Sequence, residues 1–329
     1  MKRIIFIVVM IVLALGSVAH GRTYKIATVP WIGWSPINVA DAKGFWKDLG
    51  IDVRVVTLPD PIAVQSLFKN KLVDIKFDMI GSAAGCYMDG VPITVIAETD
   101  WSHGGDELII KKDMDVSKLK GSTIGVYLNQ PPVMYFINKY LSTIGLKLSD
   151  VRIVEMETKA LADHFIADRL KAIACYDPDA LRAERDGNGK LVVTSAAYEG
   201  CIPEGMMALR DVLKNIPRKD IAKILKGWIR AVKWIQDENN WEEYVKIMNS
   251  HTFKDDTPYS ENYIRQMLDT ARIHDVKMQL ERNQDGGGLI TYLNDLRVFL
   301  KENKMLRKDF NPTEIFDNKV IMEVLKNEN

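Results

Sequence analysis

Strand and helix signals alternate from Tyr24 to Leu209 and give way to helices alone beyond Pro217, which predicts an α/β protein of two units with a helical tail. The size agrees: 329 residues, at roughly 150 per domain, allow two domains or one large one. So does the composition, because 47% hydrophobic, 27% charged and 9% aromatic residues are ordinary for a globular chain and exclude a disordered, collagen-like or multi-span membrane protein.

Taking the elements in order, Tyr24 to Val29 reads as a strand, the stretch from Trp31 to Pro36 as a loop, and Pro36 to Lys47 as a helix, with proline suited to a first turn. Ile51 to Thr57 alternates as a strand, Pro61 to Lys69 is helical, and Asp74 to Ile80 is a strand before Gly81-Ser82 opens a helix. Ile93 to Ala97 and Glu107 to Lys111 complete this unit, with parallel pairing expected.

A second run starts after Asp113. Ser122 to Tyr127, Val151 to Met156 and Lys171 to Cys175 are strands, separated by helices at Pro131 to Thr143 and Lys159 to Arg169. The Asp186 to Gly189 turn leads into a Leu191 to Thr194 strand, and Gly205 to Leu209 is the last. The helical tail comprises Asp220 to Gln236, Trp241 to Met248, Tyr259 to Ile273 and Leu289 to Glu302. Its apolar stripes need a partner, and the first unit is the expected one. That makes lobe I discontinuous (22–112 and 203–329) and lobe II an insertion (113–202), with a cleft between them where a small ligand fits.

The N-terminus carries an address. Lys2-Arg3, the apolar run Ile4 to Leu15 and the small residues up to Gly21 have the order of a secretory signal over residues 1–21. Twelve residues span roughly 18 Å, short of the hydrocarbon core of about 30 Å. No cysteine follows the expected cut, so the sequence points to an exported, periplasmic, soluble protein without a lipid anchor. Cys86, Cys175 and Cys201 form no CxxC motif, and three buried thiols are favoured over a Cys175 to Cys201 bridge.

Charge and motifs exclude several functions. The 44 basic residues balance the 44 acidic ones, so no global field attracts nucleic acid. There is no P-loop, GxGxxG, HExxH or GxSxG, and Gly81-Ser82-Ala83-Ala84-Gly85 has Ile80 where a nucleophile elbow needs glycine. Five histidines show no i,i+4 pair, and Asp100, His103 and Asp106 fit a solvated or ligand-facing loop better than a metal site. No catalytic residue, cofactor or metal is expected. What stands out is Trp31, Trp34, Trp101 and Tyr176 at predicted strand ends, the edge at which open α/β sheets bind ligands. Core packing is the competing explanation for any one of them, and it wins for Trp228, Trp234 and Trp241 in the tail.

Several of these stretches resemble a known family. Gly33-Trp34-Ser35-Pro36, then Ala42 to Val53 with its Gly44-Phe45-Trp46 and Leu49-Gly50-Ile51-Asp52-Val53, is similar to the opening of solute-binding proteins of ABC importers in the nitrate, sulfonate, taurine and thiamine-precursor (NMT1/THI5-like) group. Asp74 to Gly81, Leu119 to Val126 and Tyr176-Asp177-Pro178 extend the resemblance over nearly all the expected mature chain. It implies a type II periplasmic-binding fold, two α/β lobes that close on a small solute, and docking on an ABC permease. Carried onto the family's cleft loops, the ligand-binding candidates are Trp31, Trp34 and Ser35, Gly81 and Ser82, Trp101 and Ser102, Asn129 and Gln130, and Tyr176 and Asp177.

The loops depart from an anion binder in carrying Asp100, Asp106, Asp177 and Glu199 without a lysine or arginine. An amine, amidine or protonated heterocycle is therefore favoured over a simple anion, with Asp106, after Gly104-Gly105, the preferred carboxylate. Two alternatives stay open: an enzyme of the related pyrimidine-precursor or menaquinone-pathway type, against which the signal argues, and a module presenting solute to a membrane receptor.

Overall fold

A computed structural model describes residues 22–328, so the proposed signal segment lies outside the described residues. Two mixed sheets organise the chain. The first holds β1 (Thr23–Thr28), β2 (Asp52–Thr57), β3 (Ile75–Met79), β4 (Ile93–Ser102), β10 (Pro203–Leu209) and β11 (Ala271–Ile273), in the order β11-β4-β10-β3-β1-β2. The second holds β5 (Glu107–Lys111), β6 (Thr123–Val126), β7 (Arg152–Glu155), β8 (Ala172–Cys175) and β9 (Gly189–Thr194), in the order β7-β6-β8-β5-β9.

Helix starts follow local chemistry. Proline occupies the first turn of the helices Pro36–Ala42, Pro61–Lys69 and Pro131–Thr143, where its missing N–H costs nothing. Asp60 also caps the second of these, its carboxylate accepting from the Ile62 amide at 2.8 Å.

Four sequence expectations need correction. Pairing is mixed, because β10 runs antiparallel to both β3 and β4, and β5 antiparallel to both β8 and β9. β5, expected in lobe I, belongs to the second sheet, so the first crossing lies at residues 103–106 and not after residue 112. A short antiparallel strand has no helix of its own, so periodicity could not assign it to a sheet. β4 runs on from Ala97 to Ser102, buried throughout, because β10 and β11 flank it on both sides. Finally, the tail is not wholly helical: Ala271–Ile273 pairs with Asp100 to Ser102 as β11.

The tail packs mainly on the first sheet. The helix Arg218–Ile235 contributes Ile224, Trp228 and Ile229 to a core with Trp34, Trp46 and Phe77, the Phe77 and Trp228 rings lying 5.0 Å apart. Each such side chain contributes about 1.5–3 kcal/mol when fully buried. The helix Gly288–Glu302 also touches Pro131–Thr143 of the second lobe, where Tyr135 meets Tyr292 and Phe299. An apolar core therefore runs across the lobe junction on that side. Cys86, Cys175 and Cys201 are free thiols. No helix among the described residues is long and apolar enough to cross a membrane.

Candidate functional site

Strand directions place one edge of each sheet at the junction. In the first, β1, β3 and β4 end there and β10 begins there; in the second, β6, β8 and β9 end there and β5 begins there. The two chain crossings, 103–106 and 195–202, join these edges and are tied together by serines. Ser102 Oγ lies 2.9 Å from Ser195 Oγ, which accepts from the Gly104 amide at 2.8 Å, while the Ser195 amide donates to the Asp106 carbonyl at 2.8 Å. Ser102 is thus a hinge fastener.

Trp31, directly after β1, is half-buried and donates from Nε1 to Glu204 Oε2 at 2.7 Å. Two glycines make room for its indole. A Cβ at Gly105 would lie 2.4 Å from Trp31 Cη2, and one at Gly33 would lie 2.5 Å from Asp100 Oδ2 and 2.6 Å from Trp31 Nε1. Close approach accounts for both glycines, since neither has a positive φ.

Beneath this indole the site is acidic. Asp100 and Glu204 stand opposite each other on β4 and β10 and are buried, 0% and 4% exposed. Thr99 Oγ1 donates to Asp100 Oδ1 at 2.7 Å, and Asp100 Oδ2 has no hydrogen-bond partner. Burial pushes the Asp100 carboxyl up to about 7, and burial together with the Asp100 charge pushes Glu204 well above the usual range. Asp106, buried at the crossing, is raised by desolvation although Ser102 and Tyr127 hydrogen bonds oppose the shift.

The second lobe supplies aromatic hydroxyls and more acid. The Tyr127 hydroxyl, just past β6, donates to Asp106 Oδ1, and its ring meets that of Tyr176 edge-on at 4.9 Å. Glu107 is raised to about 8 by burial and then by Asp177, Glu184 and Asp106. Asp177, half-buried beyond β8, accepts from the Leu181 amide at 3.2 Å and is raised mainly by burial. No lysine or arginine is among the main groups acting on Asp100, Asp106, Glu107, Asp177 or Glu204.

Other candidates sit elsewhere. Trp34 packs 6.1 Å from Phe77 in the first-lobe core, and Ser35 is buried with its Oγ 2.8 Å from the Tyr244 hydroxyl. Trp101 lies within β4 and donates to Glu98 Oε1 at 2.6 Å, between the His274 ring at 5.0 Å and the Arg282 guanidinium at 4.9 Å. Gly81 and Ser82 lie in the first turn of Ile80–Met88, which abuts the second lobe: a Cβ on Gly81 would lie 2.6 Å from the Tyr292 hydroxyl and 2.9 Å from Pro132. Asn129 is exposed and Gln130 half-buried ahead of Pro131–Thr143, and Glu199 is exposed on the second crossing. The structure thus gathers Trp31, Asp106 and Tyr176 about Asp100, Glu204 and Tyr127, and leaves Trp34, Ser35 and Trp101 in packing roles.

Comparison with known proteins agrees with this layout. The family model described as "NMT1/THI5 like" matches residues 31–238, more than half of the chain. The chain belongs to the NMT1/THI5-like family. Among curated relatives of this family member, the binding protein YtlA of Bacillus subtilis is 26% identical over 233 residues, covering 65% of this chain and 66% of YtlA, so the chain spans about two thirds of that relative. An ABC transporter periplasmic binding protein of Brachyspira hyodysenteriae is 22% identical, with 80% of this chain and 81% of the relative covered. Among solved structures, the periplasmic nitrate-binding protein NrtA of Synechocystis PCC 6803 superposes with a TM-score of 0.73 at 13% identity, over 93% of this chain and 88% of NrtA. The fold is that of the periplasmic binding proteins: two α/β lobes.

The sequence reading of this NMT1/THI5-like chain missed Tyr127 and Glu204 as candidate site residues and weighed Asp100 only in the Asp100, His103 and Asp106 loop and as part of the surrounding negative charge. Tyr127 was within reach of the strand-end rule that selected Tyr176. Glu204 was not, because it begins an antiparallel strand whose direction the sequence does not disclose.

Proposed function

We propose that this protein is an exported solute-binding protein that holds a small cationic molecule between its lobes and delivers it to an ABC importer. One observation carries the ligand class: Asp100 and Glu204 face each other, buried, on β4 and β10, Asp106 and Glu107 follow at the first crossing and Asp177 lies beyond β8, with no basic group among their main partners. An ammonium or amidinium placed there relieves the repulsion and takes up the charge-assisted hydrogen bonds that buried carboxylates need. Trp31 and Tyr176 supply aromatic faces, each worth about 0.5–2 kcal/mol to a cation. Nitrate, held by the similarly folded NrtA, would meet repulsion here.

The mechanism follows from the two crossings. A ligand touching Trp31 and Asp100 on one lobe and Tyr127 and Tyr176 on the other binds the closed arrangement better than the open one, and that difference drives closure. Chemistry on the solute is not required by any group described. The test is a thermal-shift and small-angle scattering screen of small cations and anions, with the solute recovered afterwards. A cation should raise the melting temperature, shrink the scattering radius and be recovered unchanged. A solute converted over repeated turnovers would favour the enzyme reading instead.

A further inference from the structure

The strand register puts Asp100 of β4 directly across from Glu204 of β10. Two ionised carboxylates so placed and buried repel strongly. Among the described residues, no lysine or arginine is among the main groups acting on either. On β3, Lys76 is turned to Asp78 and Gln65. On the crossing, Asp106 is occupied by Tyr127, and His103 Nδ1 is buried without a hydrogen-bond partner among the described residues. Among the described residues, the second lobe brings Tyr127, Tyr176, Glu107 and Asp177 to this edge.

Beside β11 the remaining charges are already spent. Arg282 donates to both oxygens of Glu98, at 2.6 and 3.1 Å, and His274 Nε2 lies 3.0 Å from Glu98 Oε1. Arg272 is exposed on β11, opposite Trp101. Two side-chain donors, Thr99 to Asp100 and Trp31 to Glu204, together with the β4–β10 ladder, hold the pair in place without neutralising it. Asp100 Oδ2, fully buried beside Gly33, is left without a donor among the described residues, and the neighbouring Glu204 carboxyl can supply one only by carrying a proton.

We infer that Asp100 and Glu204 form a charge-reading subsite that holds one shared proton when empty and exchanges it for an N–H-bearing cation, a primary ammonium or amidinium, when the solute binds. The inference rests on the cation-binding reading above. The exchange balances: the carboxyl O–H bond breaks, its proton leaves to solvent, and the incoming N–H groups donate to the freed oxygens. A quaternary ammonium has the charge but no N–H, so it leaves Asp100 Oδ2 and its partner unsatisfied and is rejected. The Asp100 carboxyl, raised to about 7, sets the range in which the exchange is felt.

The experiment compares benzamidinium and methylammonium with their fully methylated counterparts, phenyltrimethylammonium and tetramethylammonium, by titration calorimetry in buffers of different ionisation enthalpy. Full-length mature protein and the Asp100→Asn and Glu204→Gln variants are used, with a carboxyl carbon-13 titration of each ligand-free form. At least one N–H cation should bind the unaltered protein with release of about one proton at pH 5.5 and little release at pH 8, and weaken about 30-fold from pH 8 to pH 5.5. The methylated cations should bind at least tenfold less tightly, and both variants should lose the pH dependence. A carboxyl of the ligand-free protein should titrate near neutrality and disappear from the Asp100→Asn spectrum.

Equal binding of methylated and N–H cations, binding without proton release, or two carboxyls fully ionised at pH 5.5 would each overturn the inference. So would failure of both N–H probes. If those probes fail while another solute still closes the lobes, the binding-protein reading stands and this subsite assignment alone falls.

Discussion

Replacing Arg282 by methionine tests the network that keeps Trp101 out of the ligand site. Glu98 is fully buried and accepts from Trp101, His274 and Arg282, and the Arg282 guanidinium is the sole donor to its Oε2 oxygen among the described residues. Those partners outweigh desolvation and hold the Glu98 carboxyl below its ordinary value. Removing one member of a buried pair leaves a charge uncompensated, which costs about 3–5 kcal/mol. At an unfolding entropy of about 2.1 cal/mol/K per residue over about 300 residues, that is a fall of roughly 5–8 °C in melting temperature. The pH dependence has a definite sign: a depressed carboxyl contributes stability above its unfolded value of about 4.5 that is lost as pH falls. The Arg282→Met deficit should therefore be largest at neutral pH and shrink in acid, where Glu98 takes up a proton. Urea unfolding and calorimetry measure it, and Arg282→Met combined with Glu98→Gln should recover part of the loss. A cost below about 1 kcal/mol at neutral pH would refute the view that this pair is a buried, tightly held ion pair.

Two further predictions concern the site. Gly105→Ala places a methyl group where Trp31 lies, so it should displace the indole, quench or shift its fluorescence, and weaken solute binding at least tenfold with little change in far-ultraviolet circular dichroism. Ligand-free stability should fall as pH rises from about 5 toward 7, because folding raises the Asp100 carboxyl from about 3.8 and the folded state holds the extra proton in that range; Asp100→Asn should flatten the profile in denaturant titrations.

How much of this was legible in the sequence depends on the kind of signal. Periodicity and proline-marked helix starts at Pro36, Pro61 and Pro131 located most elements, and the strand-end rule picked out Trp31 and Tyr176, which the structure sets against Glu204 and Tyr127. Pairing direction was hidden, because β5 and β10 look like any short apolar strand until their neighbours are known. That single gap misplaced the first crossing, cut β4 short at Ala97 and concealed the opposition of Asp100 and Glu204. Trp34 and Trp101 shared the strand-end pattern with Trp31, but side-chain direction decides between cleft and core. Trp34 turns onto Phe77 and Trp101 onto Glu98. Gly33, two residues after a strand-end tryptophan, carried a usable clue to a crowded backbone, whereas Gly105 meets Trp31 only in the fold.

The most direct measurement is native mass spectrometry of the protein isolated under gentle conditions from the cells that make it. The account predicts a one-to-one complex with a small N–H-bearing cation, released on acidification toward about pH 5 and retained less by the Asp100→Asn variant. A retained anion, or a solute held equally well by that variant, would contradict it.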